Sequence, residues 1–107
     1  MEEEVNKFLS ELKDGGIESA FIRKDGVKIH STITLDENTS NLIVSLSNTV
    51  EAIMKKVKDK NNEMEVSTEK GYFIVIPIGD FYLCGITEDR EKKKMLREYA
   101  KKIAEII

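Results

Sequence analysis

Apolar residues recur along this chain with two different periods, which separate the predicted helices from the predicted strands. The helical spacing of i, i+3, i+4 and i+7 is found in residues 2–13, 40–60 and 90–107. Short runs rich in β-branched and aromatic residues, each bounded by turn residues, predict strands. These runs are residues 17–23, 27–33, 63–68, 72–78 and 81–87. The predicted order is therefore helix, two strands, helix, three strands, helix.

The last two predicted strands are apolar at both parities, whereas a half-exposed strand alternates apolar with polar residues. Gly79 and Asp80 predict a tight turn between these strands. That turn places Ile74, Ile76, Ile78, Phe81 and Leu83 on one face, and Phe73, Val75, Tyr82, Cys84 and Ile86 on the other. We therefore expect both faces to be dry and covered by helices.

The predicted fold is α+β, a three-layer α/β/α sandwich around a five-stranded antiparallel sheet. The middle helix is expected to cover one face, and the two terminal helices the other. Consecutive hairpins leave the second and third strands outermost. Pro77 lacks the N–H that a central strand donates, so we expect it near the hairpin end, where the loss is tolerated.

The middle helix carries a wide apolar stripe. Its apolar residues fall within about 120° of the helix circumference, which is wide enough to lie on a sheet. They are Leu42, Ile43, Leu46, Val50, Ile53, Met54 and Val57. We expect this stripe to pack on the sheet, Val44 to point away from it, and Thr39 or Ser40 to be the N-cap.

The first hairpin turns at Lys24-Asp25-Gly26, and two registers are open. A two-residue turn would set Arg23 opposite Lys28, which is a like-charge pair. A three-residue loop with Gly26 in a bulge would instead pair Phe21 with Ile29, and we favour it.

Composition narrows the possible functions. The 107 residues match one domain, residues 1–107. The net charge of −3 gives no general attraction to nucleic acid or to an anionic membrane, and no apolar run is long enough for membrane insertion. Cys84 lies in the most apolar segment, so we expect a buried, inert thiol and a cytoplasmic protein.

Residues that could carry chemistry are few. One histidine and one cysteine cannot build a multi-His or multi-Cys metal site, and no phosphate-binding loop motif occurs. His30 is interpreted as a partly exposed strand residue, since no Ser, Cys or carboxylate has a catalytic spacing to it. We expect no catalytic residue, no cofactor and no metal.

The third strand, residues 63–68, is half-apolar and predicted to lie at an edge with unpaired N–H and C=O groups. Such an edge invites a partner strand. Glu63 and Glu65 could instead act as charges that prevent pairing, and both interpretations stay open.

The element order, with "GIESAFIRKDGVKIHST" and "GYFIVIPIGDFYLCGITED", resembles the Roadblock family of dynein light chains and MglB-type regulators over essentially the whole chain. Profilin-like folds share parts of this layout. The resemblance implies a homodimer, or a heterodimer with a related domain, that joins third strands and packs middle helices together. The implied interface consists of Val44, Asn48, Glu51 and Lys55 on the helix, and Met64, Glu65, Val66 and Ser67 on the strand.

Members of that family are typically non-enzymatic platforms for Ras-like small GTPases, or adaptors that link motors to cargo. The resemblance therefore implies a GTPase regulator or scaffold without a catalytic motif. Arg23, Arg90 and Arg97 show no spacing that marks an arginine finger. The alternative is a small-ligand sensor of PAS-like or GAF-like type, because an antiparallel sheet with a flanking helix can enclose an apolar pocket.

Overall fold

The computed structural model of the chain describes residues 1–34, 36–59 and 62–107. Its elements follow the predicted order, and most bounds lie within a few residues of those predicted. Residue 60, at the predicted end of the middle helix, lies outside the described residues. The elements are α1 (Glu2–Asp14), β1 (Glu18–Arg23), β2 (Lys28–Ser31), α2 (Glu37–Lys56), β3 (Met64–Ser67), β4 (Tyr72–Ile78), β5 (Phe81–Thr87), a 3₁₀ turn (Arg90–Lys92) and α3 (Lys93–Ile106).

The five strands form one antiparallel sheet in the order β2-β1-β5-β4-β3. β2 and β3 are therefore the outermost strands, as predicted. The terminal helices lie on one face, which we call the closed face, and α2 lies on the other, which we call the open face. The three-layer α+β sandwich is confirmed.

Pro77 is accommodated by the direction of its peptide nitrogen. Ile78 and Phe81 flank the two-residue turn as a pair, and such a flanking pair exchanges hydrogen bonds. Because bonding direction alternates along a strand, Pro77 turns its nitrogen away from β5. β3 pairs only with Tyr72–Val75, so Pro77 removes no donor from the ladder.

The closed face is a continuous apolar core between the sheet and both terminal helices. Gly85 on β5 allows the close approach of α3, because an added Cβ would lie 2.9 Å from a methyl group of Leu96. Phe8 of α1 and Tyr99 of α3 also meet edge to face at 5.8 Å. The buried residues are Val5, Leu9, Leu12, Ile17, Phe21, Ile74, Ile76, Ile78, Leu83, Leu96, Ala100 and Ile103.

The open face has a smaller core, and α2 presents only part of the predicted stripe to it, with Ile43 packed against this core. Val44 is only 6% exposed and packs with Ala20, Ile22, Val75, Tyr82 and Cys84. The inner face of α2, which is Ser40, Val44 and Ser47, lies buried toward the sheet. The expectation that the wide apolar stripe packs on the sheet holds for Ile43 but not for the exposed Leu42, Leu46, Ile53 and Val57. The expectation that Val44 points away from the sheet was wrong. Periodicity marks the apolar side of a helix without saying what covers it.

Two further details of α2 and the open face differ from the predictions. Asp36 is the N-cap, and its carboxylate accepts a hydrogen bond from the Thr39 N–H at 2.7 Å, so the helix begins earlier than predicted.

At the far end of the open face Ile86 is 43% exposed and Phe73 is half-buried. That part of the face is not dry, because α2 does not cover it.

The first hairpin has the favoured three-residue loop but not the favoured pairing beyond it. The Arg23 N–H donates to the Val27 carbonyl at 2.8 Å, and Gly26 has φ +99°, a conformation that glycine adopts without strain. Phe21, however, pairs with His30. A β-bulge shifts the register by one residue, so the predicted pairing of Phe21 with Ile29 was wrong.

Candidate functional site

Part of the apolar stripe of α2 turns away from its own sheet. Its most exposed members, which we call the outer stripe, are Leu42, Leu46, Ile53 and Val57. Leu42 is 61% exposed and Val57 is 64% exposed. Single exposed apolar residues are ordinary, but a stripe along one helix is typical of a protein-interaction surface. The outer stripe is therefore the first part of the candidate site.

Polar contacts add to the packing of Val44 and Ile43 where α2 meets the sheet. The Tyr82 hydroxyl donates to the Asn48 amide oxygen at 2.6 Å, and Lys24 pairs with Glu51 at 3.3 Å. The Lys24 ammonium also lies 5.1 Å from the centre of the Tyr82 ring. Burial raises the pKa of the Tyr82 hydroxyl, and the Glu51 carboxylate raises it further, so Tyr82 stays a donor.

The open edge of β3 is the second part of the site. β3 bonds to β4 on one side, and no strand of the described chain lies on its other side. Val66 is 40% exposed and shares the open face with Met64, which packs on the open-face core. The outer stripe and the exposed side of β3 thus lie on the same side of the sheet.

Glu63 and Glu65 lie on the closed-face side of the edge, where basic residues of α3 and the preceding turn compensate them. Lys93 contacts Glu63 at 2.9 Å and Glu65 at 3.2 Å. Arg97 pairs with Glu63, and Arg90 with Glu65 at 3.3 Å. Hydrogen bonds from Arg97, followed by Lys93, lower the pKa of Glu63 to about 2. The pKa of Glu65 is also lowered, mainly by Arg90.

The predicted helix residues of the interface have other contacts within the subunit. Val44 is buried, Asn48 accepts from Tyr82, and Glu51 pairs with Lys24. Lys55 is exposed. These positions belong to the side of α2 that faces the sheet or borders it, so the structure does not group them with the outer stripe.

The predicted strand residues of the interface lie together at the open edge. Val66 and Ser67 are exposed, and Met64 and Glu65 are half-buried. The sequence reasoning missed the outer stripe as an interaction surface. A usable signal was present, because the opposite side of the helix carries the small residues Ser40, Val44 and Ser47, which allow close packing on a sheet.

Cys84 and His30, the residues considered for chemistry, lie on different strands, β5 and β2. Burial raises the pKa of the Cys84 thiol to about 12, which makes it inert, as predicted. His30 is half-buried, and its Nε2 has no hydrogen-bond partner within the described chain.

Among residues 1–34, 36–59 and 62–107 no cluster of His, Cys, Asp or Glu could hold a metal ion. Within those ranges, no helix is both long and apolar enough to cross a membrane.

No protein-family model matches the sequence, and no curated sequence is significantly similar to it. Solved structures are similar in fold. MglB of Myxococcus xanthus superposes with a TM-score of 0.88 at 12% identity, over 98% of this chain and 88% of that one. This chain has the MglB fold. The resemblance drawn from the two hairpins is thereby confirmed at the level of the fold.

Two other solved structures place the same architecture in a wider group. The Roadblock/LC7 domain from Streptomyces avermitilis gives a TM-score of 0.67 at 13% identity, over 94% of this chain and 91% of that one. Profilin IB of Acanthamoeba castellanii gives 0.71 at 10% identity, over 92% and 95%. The fold is therefore the one shared by MglB, Roadblock and profilin domains.

Proposed function

We propose that this protein is a non-enzymatic, dimeric platform that binds a Ras-like small GTPase in the cytoplasm and modulates its nucleotide cycle or location. The observation that carries the proposal is the outward-facing apolar stripe of α2, which lies on the same side of the sheet as the open edge of β3. The MglB and Roadblock fold supports the choice of partner.

The dimer is argued from surface that a single subunit leaves unsatisfied. Leu42, Leu46, Ile53 and Val57 expose apolar surface that is stabilised when a second apolar surface covers it. The open strand edge adds backbone hydrogen bonds to the same contact. Two copies related by a twofold axis offer the same stripe and the same edge to each other, which is the usual geometry of a homodimer. A related domain with the same two features would form a heterodimer in the same way.

The proposed interface therefore keeps the predicted strand residues and replaces the helix residues. Met64, Glu65, Val66 and Ser67 remain in it, and the outer stripe takes the place of Val44, Asn48, Glu51 and Lys55. Val44 is replaced because it is already buried within the subunit and exposes almost no surface to a partner.

The oligomeric state tests the first half of the proposal. Light scattering across a concentration series should give a dimer for the native chain. Leu46→Glu places a charge in the outer stripe and should raise the dimer dissociation constant about 30-fold or more, as at the centre of other interfaces. Ala52→Glu adds the same charge to an exposed position elsewhere on α2 and should leave the dimer intact. A native chain that stays monomeric at every concentration would overturn the dimer.

Binding to a GTPase tests the second half. The pure protein is titrated against Ras-like GTPases from the same organism, each loaded with GDP or with a non-hydrolysable GTP analogue. We expect one GTPase to bind in one nucleotide state more tightly than in the other, because a platform that modulates the cycle needs such a difference. Absence of binding to all of them in both states would remove this function while leaving the dimer untouched.

Any effect on hydrolysis should come from ordering the switch loops of the GTPase, without a group supplied by this chain. Arg23 is bound to Asp25 at 2.8 Å, and Arg90 and Arg97 are bound to Glu65 and Glu63. Arg23→Ala should therefore leave the rate of stimulated hydrolysis unchanged. A loss of about 1,000-fold, the size expected for an arginine finger, would contradict the non-enzymatic role.

A further inference from the structure

The pairing of β3 with β4 stops before Pro77, which leaves the end of β4 without a neighbour on that side. β3 begins at Met64, which pairs with Val75. If the register continued, Asn62 would stand opposite Pro77. A pair at that position exchanges two hydrogen bonds, but Pro77 has no N–H and could complete only one of them. Residues 76–78 therefore have no strand of the described chain on their outer side.

A groove lies between this uncovered end of β4 and α3. Its volume is about 480 Å³, which is within the range of small-molecule sites. Ile76, Pro77 and Ile78 line it on the strand side. The helix side carries the small residues Ala100 and Ala104, which leave space between α3 and the strand. The inner part of the groove is therefore apolar.

The outer rim of the groove is basic. Arg97 and Lys101 line it from positions four residues apart, and so lie on the same side of α3. Arg97 binds Glu63 through Nε and Nη2, and its Nη1 donates to no described residue. Lys101 is exposed and forms no ion pair with any residue that the structure describes. With two cations and one carboxylate, the rim keeps a positive charge.

The shape and charge of the groove define the ligand that it fits. A peptide strand does not suit this edge, because Ile76 and Ile78 bond to β5 and only the Pro77 carbonyl points outward. An apolar chain gains free energy when the groove removes it from water. A carboxylate at the rim can accept charge-assisted hydrogen bonds from Lys101 and Arg97. An apolar chain that ends in a carboxylate satisfies both parts.

We propose that the groove between α3 and the end of β4 binds a free aliphatic carboxylate. The chain of the ligand lies against Ile76, Ile78 and Ala104, and its carboxylate accepts hydrogen bonds from Lys101 and Arg97. α3 lies on the closed face, on the other side of the sheet from the outer stripe of α2. The inference therefore goes beyond the proposed function and does not rest on the dimer.

Amide NMR of the isotope-labelled chain, titrated with sodium decanoate below its micelle concentration, tests the site. We expect saturable shifts of Ile78, Ala100, Lys101 and Ala104. Two control ligands separate the parts of the carboxylate ligand. Decylammonium has the same chain with the opposite charge, and acetate has the carboxylate without the chain. We expect decanoate to bind at least about ten-fold more tightly than either control, because each control lacks one of the two contacts.

Matched variants locate the binding. Ala104→Glu puts a carboxylate in the groove at an exposed helical position and should weaken decanoate binding about ten-fold or more. Ala52→Glu makes the same change on α2 and should leave binding unchanged. Lys101→Gln should weaken binding about five-fold, as expected for an exposed ion pair. Lys102→Gln removes the neighbouring charge, which lies outside the groove, and should have no effect.

The outcomes support or overturn the site as follows. Saturable shifts at the groove that Ala104→Glu and Lys101→Gln weaken, while their matched controls do not, support it. Shifts confined to the outer stripe around Leu46 overturn it, because decanoate then binds only to the exposed apolar side of α2. Equal binding of decylammonium overturns the assignment of a carboxylate. No saturable shift with decanoate overturns the inference and leaves the proposed dimer and GTPase partner untouched.

Discussion

The two faces of the sheet are held by different means. On the closed face, α1 and α3 bury large apolar side chains, and Gly85 lets Leu96 approach the strand closely. On the open face, α2 meets the sheet through the small buried residues Ser40, Val44 and Ser47 and the half-buried Ile43, with polar contacts at Tyr82 and Lys24. The closed face buries the larger core, whereas above the open face the outer stripe of α2 stays exposed.

The largest expected effect is a difference in the free energy of unfolding between a variant of the closed face and a variant of the open face. Leu96→Ala should lower the free energy of unfolding by about 3 kcal/mol, because it leaves a cavity in a fully buried core. Val44→Ala on the open face should cost only about 1–2 kcal/mol, since it removes fewer buried carbon atoms than Leu96→Ala. Urea unfolding of both variants at one protein concentration measures the difference. Equal losses, or a larger loss for Val44→Ala, would contradict the contrast between the faces.

An intermediate effect tests whether polar contacts orient α2. Tyr82→Phe removes the donor to Asn48 and should cost about 1 kcal/mol, because the amide oxygen then lacks its partner in a partly buried site. Asn48→Ala should cost a similar amount. The double variant should cost less than the sum, and urea unfolding of all four proteins gives the coupling. Additive losses would mean that the hydrogen bond does not hold the helix in place.

The smallest expected effect concerns the junction of β3 with α3. Glu63 has a pKa of about 2, below its usual value of 4.5, so its contribution to stability is present above about pH 4.5 and is lost as the pH falls toward 2. The side chains are partly solvated, so screening should reduce this contribution to about 1 kcal/mol.

Urea midpoints between pH 6 and pH 3 measure that contribution. Glu63→Gln cannot lose a proton and should show a shallower decline over this range than the native chain. A second control is Glu3→Gln, a change at an exposed position in the first turn of α1, which should keep the native decline. Parallel curves for the native chain and Glu63→Gln would show that the ion pairs do not stabilise the fold.

Most of the fold was predictable because local patterns and global packing agree. The strand limits of β4 and β5 follow from apolar residues at both parities and from the turn at Gly79-Asp80. The three-residue loop at Lys24-Asp25-Gly26 follows from the positive φ that glycine adopts. The β-bulge beyond this loop was not predictable from the sequence. The register shift that pairs Phe21 with His30 depends on how β2 packs against the neighbouring elements.

The candidate site was only half predictable. An edge position for β3 follows from the order of the hairpins, and the structure places it there. The ion pairs that compensate Glu63 and Glu65 come from residues more than twenty positions away, so no local spacing marks them. The side of α2 that faces the sheet was predicted only in part, because the apolar period does not show that Val44 is buried while Leu42 and Leu46 stay exposed.

The sequence by itself determined the helices, the strands, their order and the apolar stripe of α2, because each depends on periodicity within a short segment. Only the tertiary structure decided which side of α2 meets the sheet. That choice depends on the distance between helix and strands, which suits Val44 and small serines, and on partners for Asn48 and Glu51 that lie on β5 and beside β1. The periodicity of the sequence places Leu42, Leu46, Ile53 and Val57 on one side of the helix. Only the packing of the folded subunit shows that this side faces outward.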